Sequence, residues 1–240
     1  MKGLNTLKTK LIIMGTKYEF NKITLMWRPG RGFQRISIGI LYPPKKGEKI
    51  RFEYNPEGIM QAKEVDPNFS GYPGLPIEQS NFPAEQIEEL FFRRLMNNSR
   101  NDIGEFYDFW IVDRNRIDDP LYLLAQTQGL KLEDMFEFIP QYFSSHRNSF
   151  ITDIAGLSKI KFDLSTLHIG DVLSFEKEKD NPKDSKAVSV SFKGKKLGYI
   201  KRGHNMVFDR KNVQGIKLYV WSLNNLPGFE KLYAKVDIKY

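Results

Sequence analysis

Residues 171–190 read DVLSFEKEKDNPKDSKAVSV, and residues 198–202 read GYIKR. The segment Asp180–Asp184 is a turn by its chemistry, because Asn and Asp side chains hydrogen-bond the backbone of their own turn and Pro fixes its φ angle. After this turn, valines alternate with serines as in a strand, and Lys193-Gly194 predicts a hairpin turn. These residues therefore predict strands that follow one another through short turns.

The remainder of the C-terminal region also has the pattern of short strands. Residues 216–221 and 232–239 alternate apolar side chains with lysine or aromatic side chains, so each strand has one apolar face. Short strands that share one apolar face predict a small all-β barrel over residues 151–240.

Three spaced elements in this region resemble the signature of the HIRAN domain. They are G-D-x-L from Gly170, D-N-P-x-D-x-x-A-V from Asp180 and G-x-x-L-G-Y-I from Gly194. The resemblance covers residues 150–240 and implies a small β module that binds DNA, in some members the 3′ end of a single strand. It also implies that Asp184 accepts a hydrogen bond from the terminal 3′ hydroxyl.

Two positions differ from the HIRAN domains that bind DNA ends. Those members tend to have an aromatic residue after D-N-P, where this chain has Lys183, and an arginine, glutamine or aromatic residue in the first strand, where it has Ser158 and Lys159. Lysine can hold a phosphate but cannot stack on a base as tyrosine does. General binding of single-stranded or duplex DNA therefore stands beside the 3′-end hypothesis.

The candidate nucleic-acid contacts combine one aromatic ring with several cations. Tyr199 could stack on a base while the cations hold phosphates. Alternatively, Tyr199 is ordinary surface packing on a strand, and the Asp180–Asp184 turn serves the fold alone. The predicted binding residues are Ser158, Lys159, Lys183, Asp184, Tyr199, Lys201, Arg202 and Arg210.

The placement of charge agrees with a DNA partner. The net charge of the chain is +8. Residues 1–140 contain 19 Lys and Arg and 19 Asp and Glu, whereas residues 141–240 contain 18 Lys and Arg and 10 Asp and Glu. The whole excess lies on the barrel half, which favours a polyanionic partner for that half. The alternative is that the lysines serve solubility.

The N-terminal half has the pattern of an α+β domain. Strands are predicted at residues 22–28, 36–40, 50–54 and 135–140, and residues 55–83 are predicted to be a long irregular connection. Helices are predicted at 83–96, at 101–111 and from the Asp119-Pro120 cap. The predicted fold is thus an N-terminal α+β domain followed by a small all-β barrel. The predicted divisions are an extension (1–21), the α+β domain (22–140), a linker (141–150) and the barrel (151–240).

The order of elements in residues 22–140 looks like the N-terminal subdomain of HipA-type toxin kinases. The segments that carry this resemblance include residues 37–41, 91–96 and 119–125, while the P-E-G segment of the kinases is replaced by Asn-Asn-Ser-Arg at residues 97–100. Bacterial proteins that join such a segment to a HIRAN domain have this architecture. The resemblance implies a second hypothesis, a protein-interaction or regulatory module of a toxin–antitoxin or bacterial defence system. DNA repair is the other setting that a DNA-binding barrel implies.

A protein partner would bind the N-terminal domain through its aromatic residues, although the same residues could simply form its core. The aromatic residues concerned are Phe91, Phe92, Tyr107, Phe109 and Trp110.

Catalytic and cofactor functions find little support in the sequence. The chain has no cysteine, so disulfides, thiol catalysis and cysteine-ligated metals are excluded, and a reducing cytosol is favoured. The three histidines are scattered, and residues 237–239 (Asp-Ile-Lys) match only half of a nuclease motif. The apolar run at residues 11–14 is too short for a signal or a membrane span. We expect a cytoplasmic protein that is not an enzyme, with no cofactor, metal or membrane partner.

Overall fold

The structure, a computed structural model, describes residues 17–30, 32–131, 134–143, 149–160, 162–211, 213–224 and 231–240. The chain divides into two units, Met1–His146 and Arg147–Tyr240. Most of the predicted N-terminal extension, and residues 144–148 of the predicted linker, lie outside the described residues.

An antiparallel sheet in the order β3-β2-β1-β6 forms the framework of the N-terminal unit. Its strands are β1 (Phe20–Trp27), β2 (Ile36–Tyr42), β3 (Arg51–Tyr54) and β6 (Phe136–Tyr142). A separate small hairpin joins β4 (Gly71–Tyr72) to β5 (Leu75–Pro76). The four strands predicted in this half are confirmed, with ends shifted by one or two residues.

The described helices of this unit are α1 (Pro56–Val65), α2 (Ala84–Phe92), α3 (Ile103–Phe109) and α4 (Pro120–Thr127). The predicted cap of α4 is confirmed, because the Asp119 carboxylate accepts a hydrogen bond from the Tyr122 backbone N–H at 3.1 Å. Within the described part of the chain, no helix combines the length and apolar character needed to cross a membrane.

Helix α1 corrects the prediction of a long irregular connection over residues 55–83. Its first residues, Pro56 and Gly58, have turn propensity by themselves, but Pro fits the first turn of a helix. A Cβ added to Gly58 would lie 1.8 Å from the Ser37 carbonyl oxygen, so the glycine permits the helix to approach β2. The prediction gave weight to Pro56 and Gly58 and overlooked the helix-forming residues 60–64 that follow them.

Aromatic rings and paired buried charges fill the N-terminal unit. Phe91 packs edge-on against Phe52, Tyr72 and Phe138 at centroid distances of 5.3, 4.9 and 4.9 Å. Of the aromatic residues considered as partner contacts, Phe91, Tyr107 and Trp110 are buried in the core. The sheet also holds a buried ion pair, in which Arg35 Nη2 lies 2.9 Å from Glu137 Oε1.

Arg94 is a second buried cation of this unit. Its Nη1 and Nη2 lie 2.6 and 2.7 Å from the two carboxylate oxygens of Asp134. Its guanidinium also donates to the carbonyl oxygens of Gly129 and Phe136, at 2.6 and 3.1 Å. Arg94 therefore joins the segment after α2 to the entry of β6.

The C-terminal unit is a closed barrel with the strand order β10-β7-β12-β11-β8-β9. Its strands are β7 (Ser149–Ala155), β8 (Val172–Glu178), β9 (Ala187–Phe192), β10 (Lys195–Ile200), β11 (Gly215–Asn224) and β12 (Lys231–Lys239). Short 3-10 helices cover Leu157–Lys159, Leu164–Thr166 and Asn205–Asp209. The predicted small barrel is confirmed, with the predicted apolar faces of β9, β11 and β12 buried inside it.

The predicted hairpin turn between β9 and β10 is also confirmed. Lys193 has φ of 47° and Gly194 has φ of 78°. Two successive residues with positive φ are what a two-residue turn needs to match the twist of its strands.

Candidate nucleic-acid interface

The loop between β8 and β9 organises itself through its own side chains. Asn181 Oδ1 accepts hydrogen bonds from the backbone N–H groups of Lys183 and Asp184, at 3.0 and 3.3 Å. Asp184 Oδ1 accepts one from the Lys186 N–H at 2.9 Å. The D-N-P-K-D sequence thus forms consecutive side-chain-capped turns, as its chemistry predicted.

One side of this loop is attached to the barrel through Glu178. The Asn181 side-chain amide donates to Glu178 Oε2 at 2.9 Å, the Tyr199 hydroxyl donates to the same oxygen at 3.1 Å, and Lys196 Nζ lies 2.7 Å from Oε1. Lys196 Nζ also donates to the Tyr199 hydroxyl at 2.7 Å and lies 4.2 Å from the centroid of its ring. These contacts fix the position of the tyrosine ring.

The same contacts set the charge states of this cluster. The hydrogen bond from Lys196, followed by that from Asn181, lowers the pKa of Glu178 to about 2. Burial lowers the pKa of Lys196, but its hydrogen bonds to Glu178 and Tyr199 outweigh burial and leave that pKa raised. Lys196 is therefore a charged partner of Glu178 at neutral pH.

The other side of the loop is attached through Asp184. Its Oδ2 accepts a hydrogen bond from Asn205 Nδ2 at 3.0 Å and lies 3.6 Å from Arg202 Nε. Asn205 Nδ2 also donates to the Lys186 carbonyl at 2.9 Å, and Arg202 Nη2 donates to the Lys183 carbonyl at 3.3 Å. The side chains of Arg202 and Asp184 remain 36% and 21% exposed. Asp184 therefore supports the loop and positions Arg202 at the surface.

The turn after β7 adjoins the same end of the barrel. Ala155, the last residue of β7, pairs with Tyr199 of β10. Gly156 then turns the chain with φ of 82°, close enough that a Cβ there would lie 3.7 Å from the Tyr199 ring. Exposed Ser158 and Lys159 follow in a 3-10 helix. We call the exposed or half-exposed predicted residues at this end the loop face: Ser158, Lys159, Lys183, Asp184, Tyr199 and Arg202.

Lys201 is the one predicted contact that the structure places in the interior. Only 1% of the residue is exposed, and its Nζ lies 2.7 Å from Asp153 Oδ1. Strand β10 ends at Ile200, so the alternation that would turn the next side chain outward does not continue. The burial of this ammonium beside Asp153 argues against the prediction that Lys201 holds a phosphate, which binding measurements would test.

Arg210 is not brought to the loop face. Its Nη1 donates to the Tyr240 hydroxyl at 3.3 Å. Tyr240 follows β12, whose Asp237 pairs with Ser149 at the start of β7. The loop face adjoins the other end of β7, so Arg210 belongs to a different part of the barrel surface.

Tyr233 is a candidate contact that the sequence analysis did not select. It lies half-buried on β12 and pairs with Asp153, two residues before Ala155. Lys231 Nζ lies 3.5 Å from its hydroxyl. The sequence could have identified Tyr233, because it alternates with the apolar residues Leu232 and Ala234. These two are buried, so the tyrosine ring lies on the outer surface.

The comparisons with known proteins concern the C-terminal unit. Two solved structures are similar: the crystal structure of the HIRAN domain of human HLTF and the crystal structure of a protein from Lactobacillus plantarum. The first is 17% identical, with 38% of this chain and 74% of that chain covered and a TM-score of 0.32. The second is 20% identical, with 38% and 93% covered and a TM-score of 0.29.

No curated protein matches the chain significantly. The resemblance of residues 22–140 to HipA-type kinases lies outside the matched family segment and stays a prediction. Residues 148–218 match the family model of the HIRAN domain, and this segment contains the loop face. That match supports DNA binding in general. The matched segment lies in the C-terminal barrel, which therefore contains a HIRAN domain at residues 148–218.

Proposed function

We propose that the HIRAN domain of this chain binds single-stranded DNA through the loop face. The observation that carries the proposal is the gathering of Lys159, Lys183 and Arg202 around Tyr199 at one end of the HIRAN barrel. Single-strand-binding surfaces combine an aromatic ring for the bases with cations for the phosphates. The charge surplus of residues 141–240, with 18 basic and 10 acidic residues, adds a long-range attraction.

Preorganisation supports the same proposal. The hydroxyl of Tyr199 is bonded to Glu178 and Lys196, and the Arg202 guanidinium rests on the Lys183 carbonyl. Side chains that are already ordered lose less conformational entropy when a ligand binds. A base that stacks on Tyr199 and a phosphate that approaches Arg202 would therefore meet fixed groups.

Recognition of a 3′ end is the narrower form of the proposal, and Asp184 is the residue that would carry it. A carboxylate accepts a hydrogen bond from a hydroxyl but repels a phosphate. Both oxygens of Asp184 already accept hydrogen bonds, from Lys186 N–H and from Asn205. Each oxygen keeps a second acceptor site, so a hydrogen bond from a 3′ hydroxyl would add a preference of about twofold to tenfold. We expect the phosphodiester backbone to dominate affinity.

Fluorescence anisotropy with labelled oligonucleotides across a salt series tests the proposal. The ligands are a single strand ending in a 3′ hydroxyl, the same strand ending in a 3′ phosphate, and the corresponding duplex. We expect both single strands to bind more tightly than the duplex, with affinity that falls as salt rises because phosphate contacts release counterions. Absence of binding at low salt contradicts the proposal. A large preference for the 3′ hydroxyl instead assigns Asp184 to the ligand.

The proposed function includes no catalytic step. Asp237, the acid of the half nuclease motif, has its Oδ1 3.3 Å from Lys235 Nζ. The anisotropy samples, incubated with Mg²⁺ and then resolved by length, test this part. DNA of unchanged length is expected, and shortened DNA would show that the chain is a nuclease.

A further inference from the structure

The outer side of the β11–β12 hairpin carries an aromatic ring among lysines. On β12, Val236 and Ile238 point into the core, so Lys235 and Lys239 lie outside. On β11, Leu218 is buried in the same way, which leaves its neighbours outside. We call this surface the outer hairpin face: Lys217, Tyr219, Lys235 and Lys239.

Tyr219 lies at the end of this face that is farther from Lys239. It is half-buried and pairs with Val172 of β8 on one side and with Lys235 of β12 on the other. Val172 is 65% exposed. An aliphatic side chain, a tyrosine and a lysine in one row across three strands offer an apolar platform beside a cation, which is the composition of single-strand-binding surfaces.

The charge of the face favours a polyanion. An acidic residue on this face, Asp237, has its Oδ1 3.3 Å from Lys235 Nζ and is the cross-strand partner of Lys217. Lys217 and Lys239 are exposed and lie on the same side of Tyr219, toward the end of the strand pair where Gly215 is opposite Lys239. The three lysines outnumber the one acid among the described residues of this face, which is therefore positively charged.

The outer hairpin face is continuous with the loop face through the strand register. Tyr199 pairs with Ala155 on β7, and Asp153, two residues earlier on the same outer side, pairs with Tyr233 on β12. Lys235 is the next outward residue on β12. From Tyr233 to Lys239 the strand provides about 20 Å of further surface, at about 3.3 Å per residue.

We propose that a single strand of DNA held at the loop face continues over the outer hairpin face, where Tyr219 contacts a base and Lys217 and Lys239 contact phosphates. This inference rests on the proposed function and specifies its ligand: a strand with enough internal nucleotides to span both faces. Binding energy is thus distributed along the strand, and affinity rises with strand length until both faces are covered.

Strand length is the variable that tests this path. Anisotropy titrations of the full chain would use thymidine oligonucleotides of about 6 and about 20 nucleotides, which bracket the footprint of about 4–16 nucleotides typical of single-strand-binding barrels. The test variant is Lys217→Gln/Lys239→Gln, and the matched control is Lys45→Gln/Lys46→Gln, which removes two exposed lysines from the N-terminal unit. Thermal melting verifies that each variant is folded.

We expect the test variant to bind the short strand as the wild-type chain does. It should bind the long strand on the order of threefold to tenfold more weakly, as expected for the loss of two exposed charge contacts. Its salt slope for the long strand should fall by about 1.4, because each single-strand phosphate contact contributes about 0.7. The control should retain the wild-type gain with length, and Tyr219→Leu should lose part of that gain while it preserves apolar area.

Two results would overturn the path. If the test variant and the wild-type chain gain equally with length, the outer hairpin face does not contact DNA, and a protein partner becomes the occupant to seek. If the wild-type chain binds neither strand, the proposed function itself fails. Binding of the short strand therefore separates failure of this inference from failure of the proposed function.

Discussion

Arg94 in the N-terminal unit and Lys201 in the barrel are both buried cations, yet they belong to regions of different charge. Residues 1–140 contain 19 basic and 19 acidic residues, and the buried Arg94 and Arg35 each meet a carboxylate. Residues 141–240 contain 18 basic and 10 acidic residues, and only part of this charge can be neutralised internally. The charges of the N-terminal unit therefore join its elements, whereas the barrel has a surplus of positive charge that favours an anionic ligand.

The largest expected effect is on the stability of the N-terminal unit. Arg94→Leu removes the ion-pair partner of Asp134, which keeps only the hydrogen bond from the Phe136 N–H among those described, and a donor to the carbonyl groups of Gly129 and Phe136. We expect the free energy of unfolding of the N-terminal unit to fall by about 3–5 kcal/mol, the usual result of removing one partner of a buried ion pair. Hydrogen exchange followed by mass spectrometry would show lost protection in β6 and unchanged protection in the barrel.

Arg93→Leu is the matched control for this substitution. Arg93 is the preceding residue, but it is exposed and pairs with Glu89 one helical turn earlier. A change within about 0.5 kcal/mol is expected for such a surface pair. Equal destabilisation by the two substitutions would mean that the buried contacts of Arg94 do not support the unit.

The second prediction concerns the buried lysine of the barrel, Lys201. Lys201→Met removes the ion-pair partner of Asp153, whereas Arg94→Leu also removes the donor of two backbone carbonyl groups. We expect the barrel to lose about 1–3 kcal/mol, less than the N-terminal unit loses in Arg94→Leu. Affinity for single-stranded DNA should stay within about twofold, because the buried ammonium does not reach a phosphate.

Denaturant titration and anisotropy measure these two quantities, with Lys195→Met, at the start of β10, as the control for loss of an exposed lysine. A large loss of affinity in a folded Lys201→Met chain would restore Lys201 as a DNA contact.

The third prediction concerns two cations of the loop face. Lys183→Ala/Arg202→Ala should weaken binding of single-stranded DNA about tenfold, and the salt slope should fall by about 1.4 for two lost phosphate contacts. Lys45→Ala/Lys46→Ala removes the same charge elsewhere and should have a much smaller effect. If both pairs weaken binding equally, net charge and not the loop face controls affinity.

The smallest expected effect concerns the cluster that holds Tyr199. The depressed pKa of Glu178, about 2 against an ordinary 4.5, means that its ionised form stabilises the folded barrel. This stabilisation is complete above about pH 4.5 and is lost as the pH falls toward 2. Glu178→Gln should therefore lower stability by about 1 kcal/mol at pH 7, and the deficit should shrink in acid.

Thermal melting from pH 7 to pH 3 measures this deficit. Glu176→Gln, an exposed position on the same strand, is the control and should show little difference at any pH. A deficit that is constant over the whole range would mean that the charge of Glu178 does not contribute to stability.

Residue periodicity predicted the barrel strands, although β9 also buries Ser189 between Val188 and Val190. The alternation of Val188 and Val190 with serines, and the turn at Lys193-Gly194, are local signals that packing does not reverse. The same holds for Asp119, whose capping role depends on residues beside it in the chain.

Contacts between distant segments could not be predicted in this way. The close packing of helix α1 on β2, where Gly58 meets Ser37, is one such contact. The sequence alone predicts that Lys201 points outward, but in the structure it is buried beside Asp153 of another strand. The dual role of Asp184, which supports the loop and also holds Arg202 at the surface, depends on Asn205 in a later 3-10 helix.

Closure of the barrel fixes the spacing of the residues on its outer surface. In an open sheet, one strand can slip along its neighbour at the edge and move every side chain to the opposite face. In the closed order β10-β7-β12-β11-β8-β9, each strand is paired on both sides, so a slip in one pair forces a slip around the whole ring. The distances between Tyr199 on β10, Tyr233 on β12 and Tyr219 on β11 are thereby locked, and a strand of nucleotides would meet them at constant spacing.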